Sequence, residues 1–200
     1  LLMGDNGWMM GEHGFTSIQS IDDYRRQVPI GDYERFRPYI DRAAQGDKAM
    51  LTGEPVLMFT MTSGSTGAPK LIPVTETTRA AHAQLTQLWY GRAFADHATC
   101  GEGRVFGLVG AAEEGRTPGG IPYGAASGLI YRSRPQWIKD SHALPYEIAE
   151  IKDFEAKYYT AMRLGLEQNI TFLGTPNPST ILRLVDTADR LQQDMVKDIH

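Results

Sequence analysis

Hydrophobic and polar residues follow several different periods along this chain, and the changes of period divide it into elements. Ser20 stands as N-cap before a helix from Ile21 to Gln27, with Asp23 at its third position as a partial capping box, and Pro29 ends it. A second helical stretch is predicted from Tyr33 to about Gln45, restarted by Pro38 and stopped by Gly46. The two together predict a helical layer over a sheet. The apolar run Pro55-Val56-Leu57-Met58-Phe59-Thr60-Met61 predicts a buried strand, and Lys70-Leu71-Ile72-Pro73-Val74 a second one. Thr75 then caps a helix from Glu76 to Phe94, on which Ala81, Leu85, Leu88, Trp89 and Arg92 fall at helical spacing, so most of that face is expected to be core.

Arg104 to Val109 is the next predicted strand, followed by a glycine- and proline-rich passage from Gly115 to Gly128. Asp153 caps a helix running to about Gln168, with Phe154, Tyr158, Ala161 and Met162 on one side. Ile170 to Gly174 reads as a strand. Asn177 and Pro178 form an N-cap and first-turn pair for a last helix, which carries Ile181, Leu184, Val185, Ala188, Leu191 and Met195. Helix, strand and helix in this order predict a parallel α/β layer. No repeat, low-complexity tract or linker interrupts the chain, so residues 1–200 are expected to form one partial domain without an internal boundary.

Composition narrows the functional classes. With 200 residues and a 42% hydrophobic fraction the chain can bury a sizeable core. A formal charge of −4 leaves no basic footprint, which excludes nucleic acid as the expected partner. One cysteine, Cys100, excludes an internal disulfide framework and fits a reducing cytoplasm. No apolar run approaches the span of a bilayer, and no charged-then-apolar leader is present, so neither a membrane partner nor export is expected. The chain opens at Leu1 and stops at His200 inside a helical pattern, and so reads as a piece of a longer protein, incomplete at both ends.

The stretch with most chemical content is Thr62-Ser63-Gly64-Ser65-Thr66-Gly67-Ala68-Pro69-Lys70. Two glycines bracket two hydroxyl residues, so the backbone can turn its N–H groups inward, and Ser63, Ser65 and Thr66 add side-chain donors. Lys70 supplies a cation and Pro69 stiffens the approach to it. An anion with several charged oxygens is the expected ligand. The run joins two extended segments, whereas the nucleotide loop G-x-x-x-x-G-K-S/T leads straight into a helix and follows its lysine with a hydroxyl residue. Here Leu71 follows Lys70, which argues against an ordinary kinase or GTPase.

This run resembles the phosphate-binding loop of the acyl-adenylate-forming superfamily, matching it at every position from Thr62 to Lys70. Upstream, Gly14-Phe15, Val28-Pro29-Ile30, Tyr33-Glu34 and Arg37-Pro38-Tyr39-Ile40 look like the entry region of one branch, the auxin-type acyl acid amido synthetases. Gly119-Gly120-Ile121-Pro122 looks like that branch's Ser-Gly-Leu-Pro passage, and the likeness continues around Lys157-Tyr158-Tyr159 and Asn177-Pro178-Ser179. The resemblance implies an α/β fold, part of the large N-terminal adenylating domain. It implies ATP and Mg2+ as cofactors, and a small carboxylic acid and an amino acid as substrates. Thr62, Ser63, Gly64, Ser65, Thr66, Gly67 and Lys70 would hold the nucleotide's β- and γ-phosphates. Tyr123, with Tyr131, Trp137 and Tyr146, would line a pocket for an aromatic acid. No catalytic residue and no protein metal ligand is assigned. The adenine pocket, the ribose-binding acid and the mobile lid would lie beyond His200, leaving these residues inactive alone. The alternatives are a coenzyme A ligase or acyl-protein synthetase of the same superfamily, and a non-catalytic interaction module.

Other candidates have ordinary readings. Cys100, with His97 and His82 nearby in sequence, lacks the spatially defined base that a catalytic thiol needs, and three such residues do not complete a structural zinc site. Glu113-Glu114 reads as the solvated tip of a loop.

Overall fold

The computed structural model describes residues 11–62, 69–175 and 177–199. The chain divides into two compact units, the first made of Leu1–Ala81 with Glu113–Gly124 and the second of His82–Ala112 with Ala125–His200. Six strands occur among the described residues: β1 (Met58–Thr62), β2 (Lys70–Val74), β3 (Arg104–Phe106), β4 (Gly115–Arg116), β5 (Pro122–Gly124) and β6 (Ile170–Leu173).

In the first unit α1 (Ile21–Gln27) begins where the caps predict: the Ser20 hydroxyl accepts the Asp23 N–H at 3.1 Å, and the Asp23 carboxylate accepts the Gln19 N–H at 3.3 Å. Helix α2 (Tyr33–Ala44) starts from the Asp32 cap and continues through Pro38 instead of restarting there. Proline removes one helical N–H, but Ile40, Ala43 and Ala44 beyond it are buried, and that packing keeps the helix whole. Its end is turned by Gly46 at φ 103°.

The sheet order is β2-β1-β5-β4. Strands β1 and β2 are antiparallel, with Thr62 opposite Lys70, while β5 lies parallel to β1 with Tyr123 opposite Phe59. Phe59 is fully buried against Ile40, Ala43, Ala44 and Met50, so α2 and the sheet share one core, whereas α1, expected in the same layer, has no buried residue. Gly119 donates its N–H to the Ala44 carbonyl at 2.9 Å, and a Cβ there would lie 2.4 Å from the Gln45 carbonyl carbon. Close approach of the loop to the helix end therefore requires glycine.

Helix α3 (Glu76–Asp96) has no buried residue among its twenty-one positions. Leu85, Leu88 and Trp89 are 65%, 71% and 55% exposed, which corrects the expectation that this face is mostly core. From His82 onward α3 belongs to the second unit, and within that unit Trp89, Tyr90 and Phe94 gather around Phe172 of β6 at centroid distances of 5.9, 5.6 and 5.6 Å.

In the second unit β3 and β6 are parallel, as the helix-strand-helix pattern predicts, and α7 lies on the connection between them. The unit's helices are α4 (Ala126–Ser133), α5 (Gln136–Asp140), α6 (Glu147–Glu150), α7 (Phe154–Leu166), α8 (Pro178–Arg190) and α9 (Gln192–Ile199). The last two replace the single C-terminal helix expected from the sequence: Leu191, at φ −112° and ψ 20°, breaks the run. Leu184 in α8 and Met195 in α9 are nevertheless both buried. Phe106, Leu144, Ile148, Tyr158, Ala161 and Leu184 form the core.

Phe59→Ala is expected to lower the first unit's stability by about 3–5 kcal/mol, and Leu88→Ala on the exposed face of α3 by less than about 0.5 kcal/mol. Urea midpoints of the two variants check this, and equal shifts would contradict the assignment of core and surface.

Candidate functional site

Strands β1 and β2 hold the two ends of the hydroxyl-rich stretch. Thr62 and Lys70, both exposed, form the last pair of the ladder. Ser63, Gly64, Ser65, Thr66 and Gly67 lie outside the described residues.

The next helix end is already satisfied without a ligand. Thr75 Oγ1 accepts the Thr78 N–H at 3.3 Å, and the Glu54 carboxylate accepts the Thr77 N–H at 3.1 Å and the Thr77 hydroxyl. Hydrogen bonds from the Thr77 side chain and backbone, with one from Thr75, hold the Glu54 carboxyl below its ordinary value of 4.5. A carboxylate therefore occupies the positive end of α3.

Around Lys70 the structure gathers residues distant in sequence. The Tyr33 hydroxyl accepts the Leu71 N–H at 3.0 Å and donates to the Leu71 carbonyl at 3.3 Å. The Lys70 ammonium lies 5.2 Å from the centroid of the Tyr33 ring, and the Arg37 guanidinium 5.5 Å from it. Arg37 is paired with Glu34 at 2.6 Å.

The second unit contains a cleft of about 430 Å³, within the size range of small-molecule sites. Its walls come from Leu85, Trp89 and Tyr90 of α3, Gly107 to Val109 after β3, Tyr131 of α4, and Gly174-Thr175 after β6. The charged group in it is Arg134, at the C-cap of α4. An Arg134 nitrogen lies 2.8 Å from His142 Nε2, and His142 Nδ1 lies 2.8 Å from the Ile138 carbonyl. A carbonyl only accepts and a guanidinium only donates, so His142 carries its proton on Nδ1 and accepts Arg134 at Nε2. The backbone around His142 is held by β3: Val105 donates to the Ser141 carbonyl and accepts from the Ala143 N–H, each at 2.9 Å. The guanidinium also covers the Tyr90 ring at 5.3 Å. Its partners are thus neutral, and no carboxylate pairs with it among the described residues.

The signal for Arg134 is an absence in the sequence. Arg25, Arg26, Arg37, Arg79, Arg92, Arg116, Arg163 and Arg190 all pair with an acid three or four residues away. Arg134 has Ile130, Tyr131, Trp137 and Ile138 at those positions.

Of the predicted aromatic cluster, Tyr131 and Tyr146 stack at 5.7 Å, and Tyr131 meets His142 edge-on at 5.1 Å. Burial, with the charge of Glu147 next, pushes the Tyr131 phenol above its ordinary value of 10.0. Trp137 is 73% exposed, and Tyr123 packs on the core of the first unit. Cys100 is a free, half-buried thiol in the short 3-10 turn Ala98–Gly101, and Glu113 is paired with Arg116 at 2.8 Å. Among the described residues no group of three His, Cys, Asp or Glu is placed to hold a metal ion, and no helix is long and apolar enough to cross a membrane.

A glycine- and hydroxyl-rich hairpin in a four-stranded mixed sheet, with a parallel strand pair in a second helical unit, is the α/β architecture of the N-terminal part of acyl acid amido synthetases. The solved GH3.15 acyl acid amido synthetase superposes with a TM-score of 0.80 at 21% identity, over 96% of this chain and 34% of its own. The AtGH3.15 acyl acid amido synthetase in complex with 2,4-DB superposes at 0.81 and 23% identity, over 97% and 34%. The chain belongs to the GH3 family, whose N-terminal domain matches residues 9–200. Among its relatives, the jasmonoyl–L-amino acid synthetase JAR6 of Nicotiana attenuata is 26% identical over 96% of this chain and 34% of its own length. The probable indole-3-acetic acid-amido synthetase GH3.11 of Oryza sativa subsp. japonica is 28% identical over 94% and 33%. The chain thus spans about a third of the length of these relatives.

His142 makes the second unit sensitive to acid. Burial holds its imidazole below the ordinary value of 6.5, the Arg134 charge acts the same way, and the bond to Ile138 opposes them. The folded state keeps the ring neutral where the unfolded chain already binds a proton. Its contribution to stability is complete above the ordinary value and is lost as pH falls through the lower folded one. Melting temperatures should therefore fall between about pH 7 and about pH 5, and His142→Gln should flatten that slope. Equal slopes in the two proteins would exclude His142 as the group responsible.

Proposed function

We propose that the protein containing this chain activates a small carboxylic acid with ATP and Mg2+ as an acyl adenylate, and then joins the acyl group to an amino acid, in the cytoplasm. The observation that carries the proposal is the complete run from Thr62 to Lys70, mounted between the paired ends of β1 and β2. A carboxylate oxygen attacks the α-phosphorus, and the bond to pyrophosphate breaks. The amine nitrogen then attacks the acyl carbon, the bond to AMP breaks, and the nitrogen gives up a proton. Charge grows on the leaving pyrophosphate in the first step. The backbone N–H groups and hydroxyls of Thr62, Ser63, Gly64, Ser65, Thr66 and Gly67, with the Lys70 ammonium, are the donors proposed to meet it. The Mg2+ is the ion that accompanies the phosphates. Both units belong, in this proposal, to one adenylation domain.

The relatives' names describe synthetases acting on jasmonic and indole-3-acetic acids, so the proposed substrate is a ring-bearing acid of similar size. The cleft of the second unit suits it: Arg134 lacks a counter-charge, and Trp89 and Tyr131 offer apolar walls. Tyr123, packed in the first unit, is given the supporting part of holding β5.

The full-length protein, given Mg-ATP and a panel of aromatic and aliphatic acids, should catalyse acid-dependent exchange of pyrophosphate into ATP. Amino acids should then release AMP with amide formation. Turnover with coenzyme A alone would move the protein to the thioester-forming ligases, and absence of exchange with every acid would favour a non-catalytic interaction module. Lys70→Met should fold with a nearly unchanged melting temperature and slow exchange by about ten- to a hundredfold, the worth of a hydrogen bond to a charged group. Mg-ATP at a hundredfold over its Kd should stabilise the wild type by about 2.7 kcal/mol, and should do so much less when Ser65 and Thr66 are both alanine. Equal stabilisation of both proteins would remove the loop from the nucleotide site.

A further inference from the structure

We propose that Tyr33 is a positioning residue for the nucleotide site, fixing the strand that leaves the loop and holding the Lys70 ammonium against its ring. The proposal rests on the reading of Thr62 to Lys70 as the polyphosphate contact. It gives a role to Tyr33-Glu34 and Arg37, which stand out in the sequence without a function of their own.

Strand β2 is at the edge of its sheet, so every second residue turns its backbone groups away from β1. Pro73 occupies one such position, where the missing N–H leaves no gap in the ladder. Leu71 occupies the other, and both of its outward groups are taken by the Tyr33 hydroxyl, at 3.0 and 3.3 Å. One phenol, accepting and donating at once, thus pins the residue next to Lys70. Tyr33 is itself fixed at the first position of α2, whose buried residues share a core with β1.

The ring does the second part of the work. Lys70 and Arg37 both approach it, at 5.2 and 5.5 Å, but Arg37 is paired with Glu34. Lys70 has no carboxylate partner among the described residues, so the aromatic face restrains its ammonium and leaves the positive charge uncancelled. A flexible lysine restrained in this way loses less rotamer freedom when an anion arrives, and that difference appears as nucleotide affinity.

A double-mutant cycle in the full-length protein tests the inference, using Tyr33→Leu, Lys70→Met and the pair, with the KM for ATP measured by pyrophosphate exchange at saturating acid. Tyr33→Leu should raise the KM for ATP about tenfold, leave the KM for the acid within about twofold, and add nothing once Lys70 is methionine. Tyr33→Phe keeps the ring and removes only the clamp. It should raise the KM for ATP by a smaller factor, about threefold, while the Leu71 amide exchanges its hydrogen faster, and an unchanged KM with unchanged Leu71 exchange in this variant overturns the proposal even if Tyr33→Leu does not fold. An unchanged KM for ATP in Tyr33→Leu, an effect that adds fully to that of Lys70→Met, or a Tyr33→Phe variant as impaired as Lys70→Met would each overturn the proposal. An unchanged KM for ATP in Lys70→Met alone would instead overturn the polyphosphate reading on which it rests.

Discussion

The antiparallel register that sets Thr62 opposite Lys70 is the constraint from which the site follows. The two ends of the hydroxyl-rich stretch are set by strands of the first unit's sheet. Strand β1 is one of them, carrying Phe59 into the centre of the first unit's core and taking β2 on one side and β5 on the other. Strand β2 is an edge and would be the weaker support, but the Tyr33 hydroxyl closes its open side at Leu71. At the start of the helix that follows, Glu54 accepts the Thr77 N–H and Thr75 accepts the Thr78 N–H.

The second unit solves a different problem, keeping a cation inside an otherwise apolar cleft. Arg134 is half-buried there, and its guanidinium meets two neutral partners. His142 satisfies one donor as a neutral acceptor, fixed from behind by the Ile138 carbonyl and through its backbone by β3, and the Tyr90 ring covers one face. Neither partner supplies negative charge.

Much of this fold was legible because caps and periods are local. Ser20, Asp153 and Asn177 each cap the helix they announce, β2 runs from Lys70 to Val74 as read, and the family resemblance at Thr62 to Lys70 is matched by the GH3 assignment. Two of the misreadings share a cause, since period reports that a residue is apolar, not what it faces; Pro38 was misread for another reason, because burial of Ile40, Ala43 and Ala44 carries the helix through it. Leu85 and Trp89 recur as core residues would, yet they line a cleft. The spacing from Ile181 to Met195 runs unbroken through Leu191, because both short helices turn a buried residue the same way. The contacts of Tyr33 with Leu71, and of Arg134 with His142, join different elements and have no periodic signature.

The central claim is that Lys70 faces bound polyphosphate, and the reactivity of its amine reports on this without requiring turnover. The full-length protein would be treated briefly with an amine-acylating reagent, with and without Mg-ATP, and each lysine's labelling read by peptide mass spectrometry. The account predicts that Mg-ATP slows labelling of Lys70 severalfold while Lys48, Lys139 and Lys152 are unaffected. Labelling of Lys70 at the same rate with and without nucleotide, in protein shown by melting temperature to have bound it, would contradict the account.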